Sequence, residues 1–144
     1  MTVRIDFDQT GVRFKNVVIT SRASKLVLTS KFDLQANRLT VVQDRQRPRD
    51  QSQLWNIFYD DEKRSIRIMS VANPGLGLDN HDGKMILIPY EHCLGQRWIY
   101  VGGFLYNQTK VLAAPGNSNR PGIQLEAIDP NGQHDHRWDF VQCD

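Results

Sequence analysis

Three tryptophans, Trp55, Trp98 and Trp138, stand 43 and 40 residues apart, each inside the same local pattern. Two residues before each is a polar side chain: Gln53, Gln96 and His136. A short apolar or aromatic run follows each one, at 56–58, 99–101 and 139–141. Before each lies a hairpin-like pair of short runs. A repeat of this period in a chain of 144 residues leaves room for three copies of one supersecondary unit. A single four-strand unit cannot bury its apolar face alone. Three units packed about a pseudo-threefold axis pool those faces, and the indoles become large anchors of a shared core.

The rest of the chain agrees with a repeat made of strands. Apolar residues at three-four spacing are nearly absent, and Gly and Pro interrupt most long segments. Short β-rich runs occur at 17–20, 25–29, 39–42, 55–59, 66–69, 76–79, 84–88, 98–101, 104–107, 110–113, 123–126 and 138–141. Regular spacing of this kind predicts an all-β barrel or sandwich. Hydrophobic residues at 40% and charged residues at 24% exclude a disordered or fibrous chain. A net charge of +2 gives no electrostatic footprint for nucleic acid or a membrane surface. The longest apolar stretches, such as 85–88, are strand-sized, which argues against membrane insertion. The first six residues carry charge and no apolar h-region, so the reading is a cytoplasmic or non-classically secreted protein, or a trimmed one. Cys93 and Cys143 are too few for a disulfide framework; they form one bridge or stay as two thiols. Asn107-Gln108-Thr109 is a glycosylation sequon, relevant only to a secreted chain.

The threefold Gln-x-Trp pattern resembles the ricin-type (R-type) β-trefoil lectins, with two motifs intact and His136 replacing Gln in the third. The resemblance implies a β-trefoil spanning 1–144 as a single domain, with repeats at roughly 13–62, 63–103 and 104–144. It also implies a site in each repeat: an Asp after the second strand, a stacking aromatic near the end of the third, and a Gln that holds the Asp. The chemistry is reasonable on its own terms. A carboxylate accepts hydrogen bonds from two vicinal hydroxyls, an amide both donates and accepts, and a flat ring covers the C–H face of a sugar.

The second repeat fits that pattern best. Leu76-Gly77-Leu78-Asp79 matches the strand that ends in the sugar-binding Asp, and Gln96 is the residue expected to orient Asp79. Ile88 stands where a stacking Trp is usual, so Tyr90 is the candidate aromatic surface. Gly95 stands where the family often has Asn, and Asn80, His81 and Asp82 are the candidate replacements. The same segment, 79–83, also has the composition of a plain solvated turn. Repeat one has Thr29 in place of the Asp, with Gln43 and Asp44 on its third strand as a modified site. Repeat three has Ala113-Ala114 there, followed by the amide-rich segment 115–122.

Other clusters yield less. Arg45, Arg47 and Arg49 could meet an anion, or simply pair with Asp44 and Asp50. His134 and His136 have ligand chemistry but no third partner, so no metal site is expected. Glu91-His92-Cys93 lacks a group to orient a Cys–His nucleophile. No phosphate loop, nucleophile elbow or catalytic carboxylate pair is visible, and no cofactor is called for. The expectation is a non-catalytic lectin for galactose or N-acetylgalactosamine on glycoproteins or glycolipids. Its candidate residues are Asp79, Asn80, His81, Tyr90 and Gln96. A homodimer would supply the multivalency that one site per chain lacks. The alternatives are a trefoil protease inhibitor and a protein-binding trefoil with degenerate sugar sites.

Overall fold

The computed structural model describes residues 2–4, 13–130, 132 and 135–143. Fourteen strands occur among them: β1 Thr2–Arg4, β2 Arg13–Ser21, β3 Val27–Asp33, β4 Arg38–Asp44, β5 Trp55–Asp60, β6 Ser65–Ser70, β7 Leu76–His81, β8 Lys84–Pro89, β9 Ile99–Val101, β10 Phe104–Asn107, β11 Lys110–Ala113, β12 Ile123–Gln124, β13 Glu126–Ile128 and β14 Trp138–Cys143. Helix is limited there to three single 3₁₀ turns, at Gln51–Gln53, Leu94–Gln96 and Pro115–Asn117. No helix in the described residues is long and apolar enough to cross a membrane.

Six strands form a barrel. β14 pairs with β2, β2 with β5 and β5 with β6, all antiparallel. The Ile66–Trp98 bridge carries the barrel from β6 to β9, and β9 pairs with β10. The Trp138 N–H, donating to the Gly103 carbonyl at 2.7 Å, closes it. Hairpins β3–β4, β7–β8 and β11–β13 cap one end. They touch one another through Thr40–Ile86, Lys84–Glu126 and Gln43–Ile123. Val41, Met85 and Leu125 meet there, each with no exposed surface. Backbone bonds run from Met85 N–H to the Leu125 carbonyl (3.0 Å) and from Leu125 N–H to the Val41 carbonyl (2.9 Å).

The three indoles fix the pseudo-symmetry. Trp55, Trp98 and Trp138 are at most 2% exposed and belong to one core cluster. Each Nε1–H donates to a leucine carbonyl, Leu28, Leu78 or Leu112, and each distance is 3.1 Å. A buried Trp needs that acceptor, because an unpaired indole N–H would keep its desolvation cost. Burying about 200 Å² per ring stabilises the fold by about 5 kcal/mol each before entropy is counted. This is the β-trefoil plan.

Two expected strands differ. The run at 25–29 starts its strand only at Val27, because Lys25 sits in left-handed backbone (φ 65°) within a tight turn from Ser21. The run at 123–126 divides into β12 and β13, since its two ends pair with different hairpins. His134 and the side chain of Cys143 lie outside the described residues. Cys93 is a free thiol. Within the described residues no group of three or more His, Cys, Asp or Glu side chains could hold a metal.

Candidate functional site

The residue after each tryptophan-binding leucine occupies the same place in all three units: Thr29, Asp79 and Ala113. In the first unit that place is used internally. Thr29 is buried, donates to the Val27 carbonyl at 3.0 Å and accepts from Gln53 Nε2 at 3.3 Å. Gln43, the nearby candidate, is also committed. Its buried Nε2 donates to the Ser118 and Arg120 carbonyls (2.8 and 3.1 Å), pinning the segment after β11. Ala113 in the third unit has nothing polar to offer. In the arginine cluster Arg47 takes both acids, Asp44 at 2.9 Å and Asp50 at 2.8 Å, and no ion pair to Arg45 or Arg49 occurs among the described residues.

Asp79 is different. It is 5% exposed, near the end of β7 and opposite Ile86 on β8. Burial, the largest influence, raises its carboxyl above the ordinary carboxylate value, opposed by the Cys93 thiol and nearby positive charge. The Cys93 Sγ lies 3.7 Å from Asp79 Oδ1 and 3.2 Å from Gln96 Oε1, so one weak thiol proton serves two acceptors. The floor is Gly95, where an added Cβ would stand 2.7 Å from Asp79 Oδ1 and 3.0 Å from the Asn80 carbonyl. The asparagine common at this place among ricin-type lectins would therefore displace the carboxylate.

Gln96 makes no direct hydrogen bond to Asp79 among the described residues. Its Nε2 donates to the Pro89 carbonyl at 3.0 Å, and its Oε1 accepts from Glu91 N–H at 2.8 Å. Gln53 does the same in the first unit, bonding the Arg45 carbonyl and the Arg47 N–H at 2.7 Å each. Each glutamine closes a 3₁₀ turn just ahead of its tryptophan and staples the preceding loop. Gln96 thus bears on Asp79 by fixing the loop that carries Cys93 and Gly95.

The remaining candidates divide. Asp82 (φ 50°) and Gly83 (φ 88°) form a two-residue turn between the paired His81 and Lys84, the hairpin chemistry expected of Asp-Gly. Asn80 Oδ1 accepts from Gly83 N–H (2.9 Å), and its Nδ2 donates to Asn107 Oδ1 (3.2 Å). His81 is exposed and lies 4.0 Å from Asp82. Tyr90 stands at the opposite end of the hairpin, where its N–H bonds the Gly75 carbonyl beside the start of β7. One side of its ring receives the Arg67 guanidinium (4.6 Å), and His92 lies 4.4 Å away. Asn107 was legible only as a sequon. It is fully buried and donates to the Leu94 and Arg97 carbonyls at 3.0 Å each, so the folded chain hides that amide from modification.

No family model matches this sequence, and no curated protein matches it. Solved structures do. A mosquitocidal holotoxin matches 94% of this chain with a TM-score of 0.79 at 18% identity; the chain spans only 18% of the holotoxin's length. ThreeFoil, a designed threefold-symmetric protein, matches 88% of this chain and 98% of its own, with a TM-score of 0.75 at 19% identity. The C-half of the earthworm R-type lectin, in complex with GalNAc, matches 90% and 99% respectively, with a TM-score of 0.69 at 19% identity. The fold is a β-trefoil. Identity this low establishes the architecture alone, and the site must be argued from its own side chains.

Proposed function

We propose that this trefoil is a non-catalytic lectin whose working site is in the second repeat, with Asp79 as the hydroxyl-binding carboxylate. The observation that carries the reading is the contrast among three equivalent positions. Thr29 is hydrogen-bonded internally and Ala113 is apolar, while among the described residues the buried Asp79 side chain has a shared thiol proton as its one hydrogen-bond partner. Burying a carboxylate costs stability unless strong donors satisfy it. Two vicinal sugar hydroxyls are such donors. Galactose or N-acetylgalactosamine is the ligand we infer, in keeping with the earthworm lectin that shares the fold. Exposed His81, two residues further along the strand on the same face, is placed to extend the contact, Asn80 braces the turn through Gly83 and Asn107, Gln96 holds the loop, and Tyr90, at the far end of the hairpin, takes no part in it. The partners are glycans of glycoproteins or glycolipids, and with one site per chain a homodimer is the route to crosslinking.

A glycan array tests the reading. Terminal galactosides and N-acetylgalactosaminides should give signal with the wild type and none with Asp79→Ala, whose circular dichroism should be unchanged. No signal for these sugars, or equal signal from the variant, refutes it.

A further inference from the structure

Outside the proposed sugar site, a stack of alternating cations and rings crosses the outer face of the barrel. Arg13 lies over Phe58 (5.3 Å), Arg67 lies over Phe58 (4.5 Å) and Tyr90 (4.6 Å), and Tyr90 meets His92 (4.4 Å). Alternation along β6 explains the placement: Ile66 and Ile68 point into the core, so Arg67 points out beside its cross-strand partner Phe58. Among the described residues the Arg67 guanidinium has no ion pair, and its Nε is buried without a hydrogen-bond partner. Two ring centroids lie 4.5 and 4.6 Å from the guanidinium carbon and the Nε is buried, which leaves the terminal N–H groups as the part able to bind.

Arg67 and Tyr90 form the ridge between two clefts. The one of about 320 Å³ is also lined by the acids Asp60, Asp61 and Glu62 and by the bases Lys63 and Arg97, so charges of both signs already meet there. The one of about 420 Å³ contains no acid; Phe58, Met69, Val71 and Pro74 wall it, and Arg67 is its charge. A guanidinium edge entering an acid-free, largely apolar cleft matches an in-plane oxyanion on an apolar body.

We propose that the cleft between β6 and Tyr90 is a second ligand site, for a small aryl or alkyl oxyanion held edge-on by Arg67. It stands apart from Asp79 and does not depend on the lectin reading.

The test is a ¹H–¹⁵N titration of the whole chain with benzoate and with phenyl sulfate, using phenol and inorganic sulfate as the separate halves. Saturable shifts at Val71, Gly75 and Tyr90 are expected with at least one of the two aryl anions, and the stronger of them distinguishes a planar from a tetrahedral head. Arg67→Gln should weaken that binding by about tenfold or more, Arg67→Lys by less, and Asp79→Ala not at all. Val71→Phe, which fills the cleft and keeps Arg67, should also abolish it. The proposal is overturned if neither anion shifts these resonances, if phenol or sulfate alone binds as well, or if Val71→Phe still binds with an unchanged melting temperature.

Discussion

Replacing each tryptophan in turn by phenylalanine tests the pseudo-symmetry energetically. Each indole is essentially buried and makes one N–H bond of 3.1 Å to a leucine carbonyl. Phenylalanine loses that bond, worth about 1 kcal/mol net, and leaves a buried carbonyl with one partner fewer. It also leaves a void the size of the missing ring, worth roughly 1–3 kcal/mol given partial collapse. The sum is about 2–4 kcal/mol for each variant, or on the order of 5–15 °C in melting temperature for a domain of this size. Urea unfolding of Trp55→Phe, Trp98→Phe and Trp138→Phe, followed by circular dichroism, reads the values directly. Three losses within about 1 kcal/mol of each other fit three equivalent anchors. A variant that unfolds at the wild-type midpoint would refute the claim that its indole is one of them.

Three further outcomes follow from the site. Gly95→Ala places a methyl 2.7 Å from Asp79 Oδ1, so galactoside affinity measured by calorimetry should fall roughly tenfold, the worth of one hydrogen bond to a charged group. Alkylating the exposed residue Cys93 with iodoacetamide puts bulk between Asp79 and Gln96 and should weaken binding similarly, while Cys93→Ser should retain it. The raised pKa of Asp79 has opposite consequences for stability and binding. Ionised Asp79 costs the empty fold stability above its folded pKa, and the cost disappears as pH falls to the ordinary aspartate range. Binding needs the carboxylate, so affinity should be lost on acidification at a pH above that of an ordinary aspartate, read by titration across a pH series.

Much of the architecture was legible because it rests on spacing. The tryptophan period located the anchors, and the family resemblance put Thr29, Asp79 and Ala113-Ala114 at equivalent places, which the indole bonds to Leu28, Leu78 and Leu112 narrow to Thr29, Asp79 and Ala113. Local chemistry was partly legible: 79–83 also reads as a solvated turn, and the turn is there at Asp82-Gly83, while 79–81 belong to β7 and Asp79 is buried. What escaped the sequence depends on chain segments meeting far from their own positions. Gln43 secures a loop 75 residues later, and the stack on Arg67 joins Phe58 to Tyr90 through no pattern of spacing. The glutamines were readable as motif residues, but whether an amide faces a carboxylate or a backbone loop depends on the 3₁₀ turn that ends on it. Gly95 likewise suggested a missing contact, where the structure shows a close approach in which any Cβ must push the Asp79 carboxylate aside.

The most direct test of Asp79 as the one working carboxylate is calorimetric titration of the chain with methyl galactoside and with N-acetylgalactosamine. One sugar should bind per chain, and Asp79→Asn, which keeps the shape and removes the charge, should show no heat of binding at the same concentrations. Two or three sugars per chain, or undiminished binding by Asp79→Asn, would contradict the account.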